Sequence, residues 1–242
     1  MYKVDNQNTF EERPLGPLLF CLFTANRTAQ SGTRGLPMHH GERLNSITHL
    51  LGSIFSFIGL ILLVVRATST GDPWKIVSVS IFGATLVVLY TSSTLYHSIW
   101  GTSKKLFQKF DHSAIYLLIA GSYTPFTLVT LRGVWGWSLF DVVWGLAVIG
   151  ILQDLLFAKR KGILSVAIYL LMGWVAMVAF RPLSLALPVA GMIWLITGGL
   201  FYTVGIVFYA LDKKLAHSHG IWHIFVLAGS VCHYVTIFFY VA

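Results

Sequence analysis

The stretch His217-Ser-His-Gly-Ile-Trp-His-Ile-Phe-Val-Leu-Ala-Gly-Ser-Val-Cys-His233 opens a final apolar run that ends at Ala242. A helix needs about 20 mostly apolar residues to cross a bilayer, and this run supplies them. His219 and His223 are four residues apart, so they share one helix face about one turn apart. Two imidazoles so placed can close on one metal ion if other helices bring the remaining ligands. The plainer alternative is a pair of satisfied polar histidines. At the mouth of a membrane span the metal reading gains weight, because ionisable groups there are costly and mark functional sites by default. What decides between the two is whether other helices bring partners to the same depth.

Composition supports the membrane reading. The chain is 56% hydrophobic, only 11% charged, and has a mean hydropathy of +0.73. Soluble domains carry about 25% charged residues. The net charge of +8 does not indicate nucleic-acid binding, because the basic residues form short flanks between apolar runs rather than a patch. Two cysteines give no disulfide framework: Cys21 lies near the N-terminus and Cys232 deep in the last run. No cleavable signal peptide is evident; Leu15–Phe23 is too short to span and follows an acidic start.

Residues 1–40 read as a poorly ordered cytoplasmic tail, and 41–242 as an all-α bundle of seven transmembrane helices. The expected spans are Leu44–Val65, Trp74–Ile99, Phe107–Leu131, Trp135–Phe157, Gly162–Phe180, Leu183–Leu211 and His219–Ala242. The fourth is the weakest, with Asp141 and Asp154 near its ends. Pro188 is expected in the first turns of the sixth, where proline is tolerated. Short linkers favour an up-down arrangement. Trp74, Trp100, Trp135 and Trp137 lie at span ends, as interfacial belt residues do.

The basic residues set the expected orientation. With the N-terminus inside, thirteen of the seventeen Lys and Arg face the cytoplasm; Arg66, Lys75, Arg132 and Arg181 remain outside. The expectation is therefore N-terminus in, C-terminus out.

Depth then brings polar residues together. Ser93 and His97 lie at the inner end of the second span, and Asp111 and His112 in the first turn of the third. His219 and His223 open the seventh. Glu42, Asn45 and His49 open the first, on one face. Zinc suits three imidazoles with an open fourth position, which nominates His97, His219 and His223. Asp111 either binds the metal directly or acts as a base behind its water, unless it is only a helix N-cap. Ser93 either supports a developing oxyanion or bonds the carbonyl one turn back. Glu42, Asn45 and His49 read as supporting groups around the ligands. His112 is about 100° round the helix from Asp111 and should face elsewhere. His233 lies about 15 Å deeper than His223 at about 1.5 Å per residue, too far to share the metal, and suits a buried hydrogen-bonding role.

These residues resemble a known family. Ser93-Thr-Leu-Tyr-His97 is similar to its second-helix Ser-x-x-x-His motif, and Phe110-Asp-His-Ser-Ala-Ile-Tyr to its third-helix motif. His219-Gly-Ile-Trp-His223, followed by His233, resembles its seventh-helix motif. Glu42-Arg-Leu-Asn-Ser-Ile-Thr-His49 resembles the first-helix signature of its bacterial branch. The family is hemolysin III, within the progestin and adiponectin receptor superfamily, and the likeness runs from about Gly41 to Ala242. It implies a seven-helix protein of the cell membrane, in a bacterium the inner membrane. Its zinc would lie near the cytoplasmic side on His97, His219 and His223, with Asp111 and Ser93 beside the metal water. Family members are proposed to be lipid-amide hydrolases resembling alkaline ceramidases, or regulators of membrane lipid state.

The leading expectation is a zinc-dependent hydrolase of a lipid amide or ester, with membrane lipid as substrate or ligand and no nucleic-acid partner. The alternatives are a non-enzymatic regulator or receptor held together by structural zinc, a pore-forming cytolysin, or haem held between histidines.

Overall fold

The structure, a computed structural model, describes residues 40–156, 163–212 and 214–242. The expected N-terminal tail, the Lys159–Lys161 turn and the Glu42 side chain lie outside the described residues. The regular elements among the described residues are all helical, and seven helices are long and apolar enough to span a membrane: Arg43–Thr68, Pro73–Ser98, Ser103–Leu131, Gly133–Leu156, Leu164–Ala186, Val189–Ala210 and Ser218–Tyr240. The chain is a multi-pass membrane protein.

The bundle is built for a lipid surround. Phe55, Val65, Ile149, Leu156 and Leu200 are exposed along its outside. Such a continuous apolar surface is untenable in water and natural in a bilayer. Inside, Leu63, Val79, Phe82, Leu86, Tyr90 and Ile237 pack into the main core. Spans one to four pack in sequence order, the sixth lies against the seventh, and the seventh closes back on the first. The third span is the most buried, so its polar residues face protein.

Three boundaries differ from the sequence expectation. The third span begins at Ser103, not Phe107. Asp111 therefore lies in its third turn, and the N-cap alternative for Asp111 is ruled out. The fifth span does not stop at Phe180. It passes through a 3₁₀ segment, Val175–Ala179, and resumes as a helix over Phe180–Ala186. Pro182 is accommodated because it falls in the first turn of that new helix, where its missing N–H leaves no bond unmade. Pro188 lies just before the sixth span rather than within it, with an extended backbone at φ −59°, ψ 152°. Arg181 thus belongs to the fifth span, but it stays near the bundle end that carries Arg66, Lys75 and Arg132.

The third span also ends irregularly. Pro125 cannot donate its backbone nitrogen, and Phe126–Leu131 continues as a π-helix, closed by Arg132 N donating to Thr127 O at 3.2 Å. Arg132 then turns at φ 40° and its guanidinium pairs with Asp72, which caps the second span by accepting from Trp74 N. Partial desolvation raises the Asp72 carboxyl, but the Trp74 N–H and the Arg132 guanidinium outweigh it and hold the group below the usual carboxylate range.

Gly136 allows the fourth span to cross this region. A Cβ there would come within 2.2 Å of the Thr127 carbonyl oxygen, a backbone atom that cannot swing aside. Gly136→Ala is expected to destabilise the fold by about 1–3 kcal/mol. Thermal unfolding in detergent checks this; an unchanged midpoint would contradict the packing described.

Candidate metal centre

The second and seventh spans deliver three histidines to one point. His97 lies in the last turn of the second span, which ends before the left-handed Gly101, φ 80°. The seventh span begins after His217, whose φ of 62° turns the chain sharply back. Ser218 fixes that start by donating to the Phe208 carbonyl of the sixth span at 2.7 Å. One ring nitrogen from each of His97, His219 and His223 lies within 4.8 Å of the other two. Their ring centroids are 4.7–5.2 Å apart.

This set fits a metal ion. A tetrahedral zinc with nitrogens at about 2.0–2.1 Å needs neighbouring ligand nitrogens about 3.3 Å apart, within reach of small ring rotations. His223 is fully buried, and neither of its ring nitrogens has a hydrogen-bond partner of normal geometry. Leaving buried polar atoms orphaned costs about 1–3 kcal/mol, which a bound cation would relieve. A donor set of three imidazoles suits zinc, copper, iron or nickel rather than magnesium or calcium.

Other expected residues gather around the three. His49 of the first span stacks on His223, with centroids 3.6 Å apart and planes 17° apart. Asn45 is buried beside it, and Gly220 lacks a Cβ where one would come within 3.1 Å of Asn45 Oδ1. Asp111 is 4% exposed, and the Ser93 hydroxyl lies beside its carboxylate. Ser93 is one turn from His97, so this contact puts Asp111 at the histidines' end of the bundle. His112 is not one of the clustered histidines, and its backbone carbonyl accepts from the Tyr169 hydroxyl at 3.2 Å. His233 is outside the group, edge-on to Tyr202 at 5.2 Å, with one nitrogen facing the Leu195 carbonyl.

Sequence reasoning missed Asp212. Its Oδ2 lies 3.4 Å from His219 Nδ1. A carboxylate behind a ligating imidazole fixes the tautomer and leaves Nε2 to face the metal. The only sequence signal was an acid seven residues upstream, across a turn that sequence does not specify. Asp212→Asn is expected to weaken metal binding about 10- to 100-fold, measured by chelator competition. Unchanged affinity would leave Asp212 as a surface pairing only.

Two spaces lie near this centre. On one side lies a polar recess lined by Asn45, Tyr96, His97, Asp212 and His219. On the other lies an apolar cavity of about 240 Å³ that reaches Asp111 and His49 at one end and Phe126, Phe180 and Leu183 at the other. Asp111 and Phe126 are about 22 Å apart along the third span at about 1.5 Å per residue, so the cavity runs deep into the bundle.

With this geometry in hand, comparison with known proteins is informative. Residues 38–234 match the family described as Haemolysin-III related. The chain belongs to that family. It is 45% identical over 200 residues to a Bacillus subtilis protein named Hemolysin-3 homolog, covering 82% of this chain and 93% of the relative. A Bacillus cereus Hemolysin-3 is 44% identical over 201 residues, 83% of this chain and 91% of its own. A human protein named Monocyte to macrophage differentiation factor is 27% identical over 221 residues, 89% of this chain and 90% of its own. As a haemolysin III-related chain, the protein carries its three clustered histidines within the matched region.

Proposed function

We propose that this protein is a zinc-dependent membrane hydrolase acting on a lipid amide or ester. The observation that carries the reading is a polar recess lined by His97 and His219, together with a long apolar cavity that reaches Asp111 and His49. An amphiphile fits such an arrangement: its chain in the cavity, its carbonyl at the histidines, its head group toward water. The bias of basic residues supports placing this end in the cytoplasmic leaflet.

His97, His219 and His223 would hold the zinc. Bound there, zinc supplies Lewis acidity to a carbonyl oxygen and makes a water acidic near neutral pH. Asp111 accepts the proton of the attacking water at its carboxylate and returns it to the leaving amine or alcohol. Ser93 holds that carboxylate in place and can turn its hydroxyl toward the oxygen that gains charge. The apolar wall keeps bulk water from the chain side of the site.

The test is fatty-acid release from ceramides and acyl-ester lipids by detergent-purified protein. Release that a chelator abolishes and zinc restores is the expected result. No release from any such lipid by zinc-loaded protein would overturn the proposal.

A structural metal is the second reading, and one observation favours it. The second and seventh spans are joined by Tyr90, whose hydroxyl donates to Ser230 Oγ at 2.7 Å, and an ion on His97, His219 and His223 would add a second tie at their inner ends. In that case metal removal lowers stability, and Asp111 variants behave as wild type.

A further inference from the structure

A second buried polar group lies at the same end of the bundle, on spans that supply none of the three histidines. Asp154, in the last turn of the fourth span, is 4% exposed. Its Oδ1 accepts from Ser165 Oγ of the fifth span at 2.7 Å. Its Oδ2 is buried and has no hydrogen-bond partner. Tyr116 of the third span is fully buried, and its hydroxyl lies beside Asp154, Ser165 and Tyr169 without a hydrogen bond of normal geometry. Gly150, one turn before Asp154, makes room for that ring; a Cβ there would come within 2.2 Å of Tyr116 Cε1. Tyr169 packs on Tyr116 at 4.4 Å and spends its own hydroxyl hydrogen on the His112 carbonyl.

A carboxylate buried at membrane depth costs several kcal/mol unless a positive charge sits beside it. Among the described residues, no Lys, Arg or His forms an ion pair with Asp154. We propose that the Asp154, Ser165 and Tyr116 oxygens bind one monovalent cation, with sodium the best fit. The donors around the buried Asp154 Oδ2 are all oxygens: a carboxylate, a serine hydroxyl and a phenol. Oxygen donors suit hard cations, in contrast to the nitrogen set at the histidines. A single carboxylate balances one positive charge; a divalent ion would leave a net charge in a low-dielectric site. Ser165 has committed its hydrogen to Oδ1, so its lone pairs remain for an ion. The cation would tie the third, fourth and fifth spans, and the third and fifth of these line the apolar cavity.

The test is thermal unfolding of the full-length protein in detergent, in sodium chloride against choline chloride at equal ionic strength. Sodium is expected to raise the midpoint by about 3–5 °C in a saturable way. Asp154→Asn should abolish the response. Tyr116→Phe keeps the packed ring and removes one ligand, so the sodium concentration at half effect should rise several-fold; this variant carries the test if the Asn variant does not fold. Equal midpoints in the two salts would overturn the proposal. So would a full sodium response in Asp154→Asn. Stabilisation by lowered pH with no response to sodium would also overturn it, by assigning the site a proton. None of these readouts depends on hydrolysis or on zinc.

Discussion

Asp111→Ala is expected to lower hydrolysis of the best lipid substrate by about 10²- to 10⁴-fold while leaving zinc bound. The size follows from removing a general base and acid in one change. The retention of metal follows from geometry: the clustered ligand atoms belong to His97, His219 and His223, and Asp111 is not among them but lies beside Ser93. Asp111→Asn, which keeps the shape and the Ser93 contact, should be nearly as inactive. Measuring turnover and zinc content on the same preparations separates the possibilities. Full turnover in either variant contradicts the proton-transfer role. Loss of zinc along with turnover would instead make Asp111 a ligand.

His223→Ala has the largest expected effect on the metal. Losing a supporting partner of a ligand costs about 10- to 100-fold in affinity, and losing one of three ligands should cost more than that. His223 is fully buried and stacked against His49, so the truncation also opens a cavity, worth about 2–4 kcal/mol of stability. The variant should therefore purify without zinc and unfold at a lower temperature. His233→Ala is the control. It removes an imidazole from the same helix ten residues on, and it should keep its zinc. Equal metal loss in both would mean that the effect is general unfolding rather than ligation.

Much of this architecture was legible in the sequence because membrane spans obey a length rule. Apolar runs of about 20 residues gave seven helices in order, and connection lengths made neighbours antiparallel. The depth argument grouped His97 with His219 and His223, because residues at facing ends of antiparallel spans share a layer. The argument was coarser elsewhere. Arg181-Pro182 looked like a loop, yet a 3₁₀ turn let the fifth span restart around the proline. The expected start at Phe107 put Asp111 in the first turn, although helix propensity readily extends through Lys104 and Lys105. Asp212 could not be paired with His219 without the left-handed turn at His217. Asp154, Ser165 and Tyr116 come together only through the rotational register of three helices, which hydropathy leaves open. His49 was placed near the ligands by spacing, but its stacking on His223 depends on how closely the first span approaches the seventh.

The most direct measurement is the zinc content of the wild-type protein, determined by elemental mass spectrometry after purification in mild detergent and dialysis against metal-free buffer. The histidine centre predicts about one zinc per chain. A chain that is folded by thermal unfolding yet holds no stoichiometric metal, even after incubation with zinc, would contradict the account. His97, His219 and His223 would then be a polar histidine network and not a metal centre.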